Sequence, residues 1–98
     1  LIDKADVKNE DPNWPAYKKY FMHGTSHHMG LDTHDYGFLW EPMKANMVFT
    51  VEPGIYIPDE GFGIRLEDDV VIQESGEPFN LMRNIPIEAE EIENIMNS

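Results

Sequence analysis

All four histidines of the chain, His23, His27, His28 and His34, fall within residues 23–34. They sit in the string His23-Gly24-Thr25-Ser26-His27-His28-Met29-Gly30-Leu31-Asp32-Thr33-His34-Asp35. Imidazole is a common metal ligand and the side chain best suited to moving protons near neutral pH. The cluster therefore predicts a metal or acid–base site, against the plainer reading of a polar loop or an adventitious metal binder. Gly24 and Gly30 allow the backbone to turn sharply around such a site.

A second group is carboxylates in apolar company. Glu52 ends the run 47–51 and is followed by Pro53-Gly54, while Glu67 lies inside the run 64–72 and is followed by Asp68 and Asp69. A carboxylate in a strand usually faces solvent. Arg65, two positions before Glu67, would share its face and could pair with it. Alternatively Glu52 and Glu67 point at a common centre from neighbouring strands, and two like charges so placed need a cation between them. One imidazole and two carboxylates suit Mn, Fe, Co or Zn, the oxygen-rich balance favouring the harder ions. Ser26 lies near histidines and aspartates, but no Gly-x-Ser-x-Gly elbow presents it, and no glycine-rich phosphate loop is found.

The elements that must position these groups are short. Residues 1–14 are polar and interrupted by Pro12, with Pro15 following, and read as a connector or the end of an earlier element. Residues 16–21 could be a helical turn or the entry to a strand. Residues 23–35 suit a strand-to-loop segment, and residues 40–44 a turn around Pro42. Strands are predicted over 47–52, 55–57 and 63–72, with turns at 58–63 and 74–77 and a hairpin return at 78–81. Residues 88–96 form an amphipathic helix with Ile92, Ile95 and Met96 on one face and acids in its first turns. Between 47 and 81 there is no room for crossover helices, so the strands pair antiparallel. The fold class is α+β.

The chain has 98 residues, seven Lys and Arg against nineteen Asp and Glu, and a net charge of −12. That balance excludes a nucleic-acid backbone and an anionic membrane surface as partners. With no cysteine there is no disulfide framework, thiolate zinc site or thiol nucleophile. No apolar run approaches the roughly 20 residues of a membrane span. The hydrophobic fraction of 41% suffices for a folded, soluble piece. No leader pattern opens the chain, which suggests the cytoplasm. A first residue of Leu suggests a fragment or processed product.

Three ordered blocks then resemble one family. The histidine string, Val51-Glu52-Pro53-Gly54-Ile55-Tyr56 and Gly63-Ile64-Arg65-Leu66-Glu67-Asp68-Asp69 are similar to the aminopeptidase P and prolidase branch of the pita-bread metallopeptidases, over about residues 20–96. Methionine aminopeptidases share the fold but usually carry Glu where Asp35 stands. The resemblance implies a curved antiparallel sheet with a C-terminal helix and two divalent metal ions, Mn first, with Co, Zn or Fe as alternatives. It implies His27, Glu52 and Glu67 as metal ligands, Glu67 bridging and Glu52 also accepting a proton from the attacking water. It implies His34 as the group that stabilises the tetrahedral intermediate, and His23 in the pocket for the residue after the scissile bond. Arg65 and Tyr56 would support the metal surroundings, Asp32 and Asp35 would lie further out, and His28 has no assigned role.

The implied activity is release of an N-terminal residue that precedes proline, by a homo-oligomer acting on Xaa-Pro peptides. Alternatives are a prolidase-type Xaa-Pro dipeptidase and a catalytically dead pita-bread interaction module. The family's site has two further aspartates upstream of the histidine block, and nothing in residues 1–15 supplies them. Residues 1–98 are therefore expected to be the C-terminal portion of a catalytic domain, with 1–15 joining it to a missing upstream half. In isolation the piece is expected to bind metal weakly and to hydrolyse nothing.

Overall fold

Valine, phenylalanine and threonine favour the pleated backbone, and Val48–Val51 forms strand β1. In the computed structural model β1 pairs antiparallel with β4 (Asp68–Val71), from Val48 opposite Val71 to Val51 opposite Asp68. Strand β2 (Gly54–Ile57) pairs with β3 (Phe62–Arg65), from Gly54 opposite Arg65 to Ile57 opposite Phe62. The structure describes residues 1–32, 34, 35, 37, 38 and 40–98; Thr33 of the histidine string, Tyr36 and Leu39 lie outside the described residues.

The two ladders keep one register, so they are the two ends of a single long hairpin. It is interrupted where Glu52-Pro53 faces Leu66-Glu67. Pro53 has no N–H to give to a ladder, and the bond that survives there runs from Leu66 N–H to the Pro53 carbonyl at 3.1 Å. The single strand expected over 63–72 is thus two strands in different sheets, with Leu66 and Glu67 between them. The cause is a proline in the partner segment, not anything within 63–72.

The turns expected at 58–63 and 74–77 are present, but the one expected around Pro42 is not: Met47 N–H donates to the Lys44 carbonyl at 3.2 Å and closes the turn over 44–47 instead, with Asn46 at φ 73°. Pro58–Glu60 makes a 3-10 turn closed by Gly61 at φ 70°. Gly76 at φ 82° lets the chain return as β5 (Phe79–Asn80), which extends the first sheet in the order β1-β4-β5. Along the other edge of β1 runs the histidine segment. Glu52 N–H donates to the Thr25 carbonyl at 2.7 Å, Thr50 N–H to His27 at 3.1 Å, and Met29 N–H to Val48 at 3.0 Å. The small core lies at this junction, with Phe49 and Thr50 buried.

Two peripheral segments complete the chain. Residues 1–14 are not wholly irregular: Lys4–Lys8 forms a short helix, α1. Asp3 accepts from Ala5 N–H and Asp6 N–H at 2.8 and 2.9 Å, and Asp6 accepts from Asp3 N–H at 3.0 Å, a reciprocal cap. Ala16–Lys19 is a 3-10 turn, and Ala89–Met96 is the expected terminal helix, α2. No helix among the described residues is long and apolar enough to cross a membrane.

Candidate metal centre

The break in the hairpin and the histidine segment beside it enclose a cleft of about 530 Å3. His23, His27, His34, Glu52, Arg65 and Glu67 all line it. Tyr56 meets the cleft through His23, to which its hydroxyl is hydrogen-bonded at 2.7 Å.

His27 comes from the segment paired to β1. Its Nδ1 lies 2.9 Å from the carbonyl of His28. A carbonyl can only accept, so Nδ1 carries the hydrogen and Nε2 presents a lone pair in the neutral ring. That lone pair lies 3.8 Å from Glu52 Oε1, with both side chains largely buried. Glu52 in turn stands opposite Glu67, because the register on either side of the break is continuous. Like charges directly opposite on paired strands repel. Arg65 relieves part of this, its Nε 3.2 Å from Glu67 Oε2, and both groups are well exposed. Such a pair contributes little in solvent.

His23 is held at both ends. Its Nδ1 lies 2.8 Å from the Gly24 carbonyl and therefore donates, so the neutral ring's Nε2 accepts from the Tyr56 hydroxyl. The Tyr56 oxygen in turn raises the pKa of Arg65 above its ordinary value by hydrogen bonding, and the charges of Glu67 and Glu52 add to the effect. Tyr56 thus bonds His23 and bears on the charge of Arg65. Two glycines make room for it: a Cβ at Gly54 or Gly63 would stand within 2.9 Å of a Tyr56 ring carbon.

Residues 3–74 match the sequence profile of Metallopeptidase family M24. The chain belongs to this family. It is 45% identical to an Xaa-Pro aminopeptidase of Escherichia coli, over 83% of this chain and 21% of that protein. It is 37% identical to the human Xaa-Pro aminopeptidase 3, over 97% of this chain and 21% of that protein. Among solved structures, an aminopeptidase P of Bacillus anthracis superposes with a TM-score of 0.79 at 39% identity, covering 99% of this chain and 21% of that one. The aminopeptidase PepP of Pseudomonas aeruginosa gives 0.76 at 40% identity, covering 84% and 22%. The fold is thus the pita-bread fold of the aminopeptidases P, an α+β architecture, and the chain spans about a fifth of the length of these relatives.

M24 enzymes are metallopeptidases, and the donor set here fits a divalent cation. A nitrogen lone pair of fixed tautomer faces a carboxylate, a second carboxylate stands opposite, and a ligating histidine normally has its other nitrogen bonded as His27 has. Asp69 Oδ1, one strand period beyond Glu67, is buried with no hydrogen-bond partner among the described residues. Among the described residues no three such groups are close enough to close a metal site, Glu67 being turned to Arg65.

The remaining histidines divide by environment. The His34 ring lies 4.5 Å from that of His27, on the cleft. The half-buried His28 ring packs against Phe49 at 4.5 Å and does not line the cleft. Thr50 was not singled out in the sequence, yet its buried hydroxyl accepts from His27 N–H at 3.2 Å. A signal existed: Thr50 is a polar residue inside an apolar run, two positions before Glu52 and hence on its face.

Proposed function

We propose that this chain supplies His27, Glu52 and Glu67 to the two-metal site of a larger Xaa-Pro aminopeptidase, with two further carboxylates coming from outside residues 1–98. One observation carries the reading. Glu52 and Glu67 oppose each other at a break in the hairpin, with a free imidazole lone pair beside them. The names of the relatives support the substrate class. Residues 1–15 would join this portion to the upstream half, and the whole would act as a homo-oligomer.

Divalent ions bound there, Mn first with Co, Zn or Fe as alternatives, supply Lewis acidity and a water that ionises near neutral pH. The chain's own residues do the rest. Glu52, at 14% side-chain exposure, can hold a proton taken from the attacking water. His34 donates to the oxygen of the scissile carbonyl, a contact of the kind worth about 3–4 kcal/mol in the transition state. His23, fixed by Tyr56 and the Gly24 carbonyl, borders the pocket for the residue after the cut bond. Proline there removes the N–H that ordinary peptidases bind.

The test uses the full-length protein with Mn and a tripeptide Xaa-Pro-Yaa, following release of the first residue. Glu67→Ala should abolish turnover and leave the fold intact, as judged by circular dichroism. Retained turnover removes Glu67 from the site. Cleavage of Xaa-Pro dipeptides alone would make the protein a prolidase, and no turnover with either substrate would make it an interaction module.

A further inference from the structure

Asp35 directly follows His34, and His28 directly follows His27, so the loop between residues 28 and 35 joins the two histidines that face the cleft. Asp35 ties this loop at two points. Asp35 N–H donates to the His28 carbonyl at 3.1 Å, and the Asp35 carboxylate Oδ2 accepts from Leu31 N–H at 2.9 Å, across the crown of the same loop. The carboxylate occupies the space beside Gly30 where a side chain would begin: a Cβ there would overlap Oδ2. With the loop so closed, the His34 ring sits 4.5 Å from His27 on the wall of the cleft.

We propose that Asp35 is a positioning residue for His34, and that Gly30 is the space its carboxylate needs. The catalytic consequence rests on the Xaa-Pro reading above. The geometric consequence does not. If the carboxylate is removed, Leu31 N–H loses its partner and the loop loses its inner brace, so His34 is no longer held where a carbonyl oxygen would meet it. A side chain at residue 30 has the same effect by expelling the carboxylate. The two changes therefore act on the same carboxylate. Once Asp35 is alanine, the two atoms that crowd a Cβ at residue 30 are gone, and the nearest that remains is the Asp35 Cβ, 3.5 Å away, an ordinary contact.

The test is a double-mutant cycle in the full-length protein with Asp35→Ala, Gly30→Ala, the pair together, and Asp35→Asn. Each single alanine change should lower kcat by about 10–100-fold with KM little changed, as losses of supporting contacts do. The pair should be no worse than Asp35→Ala alone, and Asp35→Asn, which keeps an acceptor oxygen, should recover most of the rate. In parallel, ring signals of selectively labelled histidine in the metal-free protein should shift at His34 in Asp35→Ala, with His34 assigned by its loss in His34→Gln. Losses that multiply in the pair, an Asp35→Ala enzyme of undiminished kcat, or an unmoved His34 signal would each overturn the proposal. An inactive parent protein would instead sink the peptidase reading, and the ring signals alone would then decide the role of Asp35.

Discussion

Tyr56 donates to His23 and raises the pKa of Arg65, and both neighbours face the same cleft. Tyr56→Phe keeps the ring between Gly54 and Gly63 but takes away the oxygen, leaving His23 Nε2 without its donor. If the full-length protein is the proposed peptidase, its kcat/KM should fall by about 10–100-fold with the melting temperature nearly unchanged. Steady-state kinetics beside a thermal scan would check this, and an unaltered kcat/KM would detach Tyr56 from the site. At this scale the sequence is informative about residue type and silent about partners. Histidines confined to residues 23–34, and Glu52 at the edge of an apolar run, are visible as anomalies of composition. That His27 faces the cleft while His28 covers Phe49 follows from how one segment pairs with β1, and the two neighbours are chemically identical in the sequence. The bond from His23 to Tyr56 spans 33 positions, a distance no local pattern encodes.

The elements bring these groups together because the hairpin is long and is broken once. The turns at Gly61 and Gly76 were legible, since both glycines sit at positive φ where the glycine pattern marks a turn, and so were the terminal helix and the β5 return. The break at Leu66-Glu67 was not legible from residues 63–72, because its cause, Pro53, acts from across the ladder. Beyond the break, β2 and β3 carry the Tyr56 ring on a surface cleared of side chains. A Cβ at Gly63 would lie 2.6 Å from Tyr56 Cδ1 and 3.1 Å from the Ile55 carbonyl, so either the ring or the strand must move. Gly63→Ala is therefore expected to destabilise the full-length protein by about 1–3 kcal/mol, the usual cost of overpacking. It should also lower activity, because the displaced ring is the one that holds His23. Urea denaturation measures the first effect. A variant as stable and as active as the parent would show that β2 and β3 have slack there.

For the whole molecule the deciding quantity is surface. The chain exposes 8150 Å2, whereas a compact protein of its mass exposes about 5,700 Å2. Its radius of gyration is 17.0 Å, against about 13 Å for a compact domain of this length. The excess of roughly 2,400 Å2 is the size of an obligate interface. Much of it is apolar: Ile55, Phe62, Ile64 and Leu66 on the β2–β3 hairpin are each about half exposed. Burial on that scale is what a domain core supplies, and a net charge of −12 with opposed Glu52 and Glu67 works against closure in its absence. Residues 1–98 expressed alone should accordingly bind a hydrophobic dye, melt without a sharp transition, take up Mn weakly and release nothing from an Xaa-Pro peptide. Calorimetry, dye fluorescence and a peptide assay on that polypeptide would check each point. A cooperative transition at monomer mass with robust turnover would mean that the surface area misjudges the fold, and that three ligands suffice where the proposed site needs more.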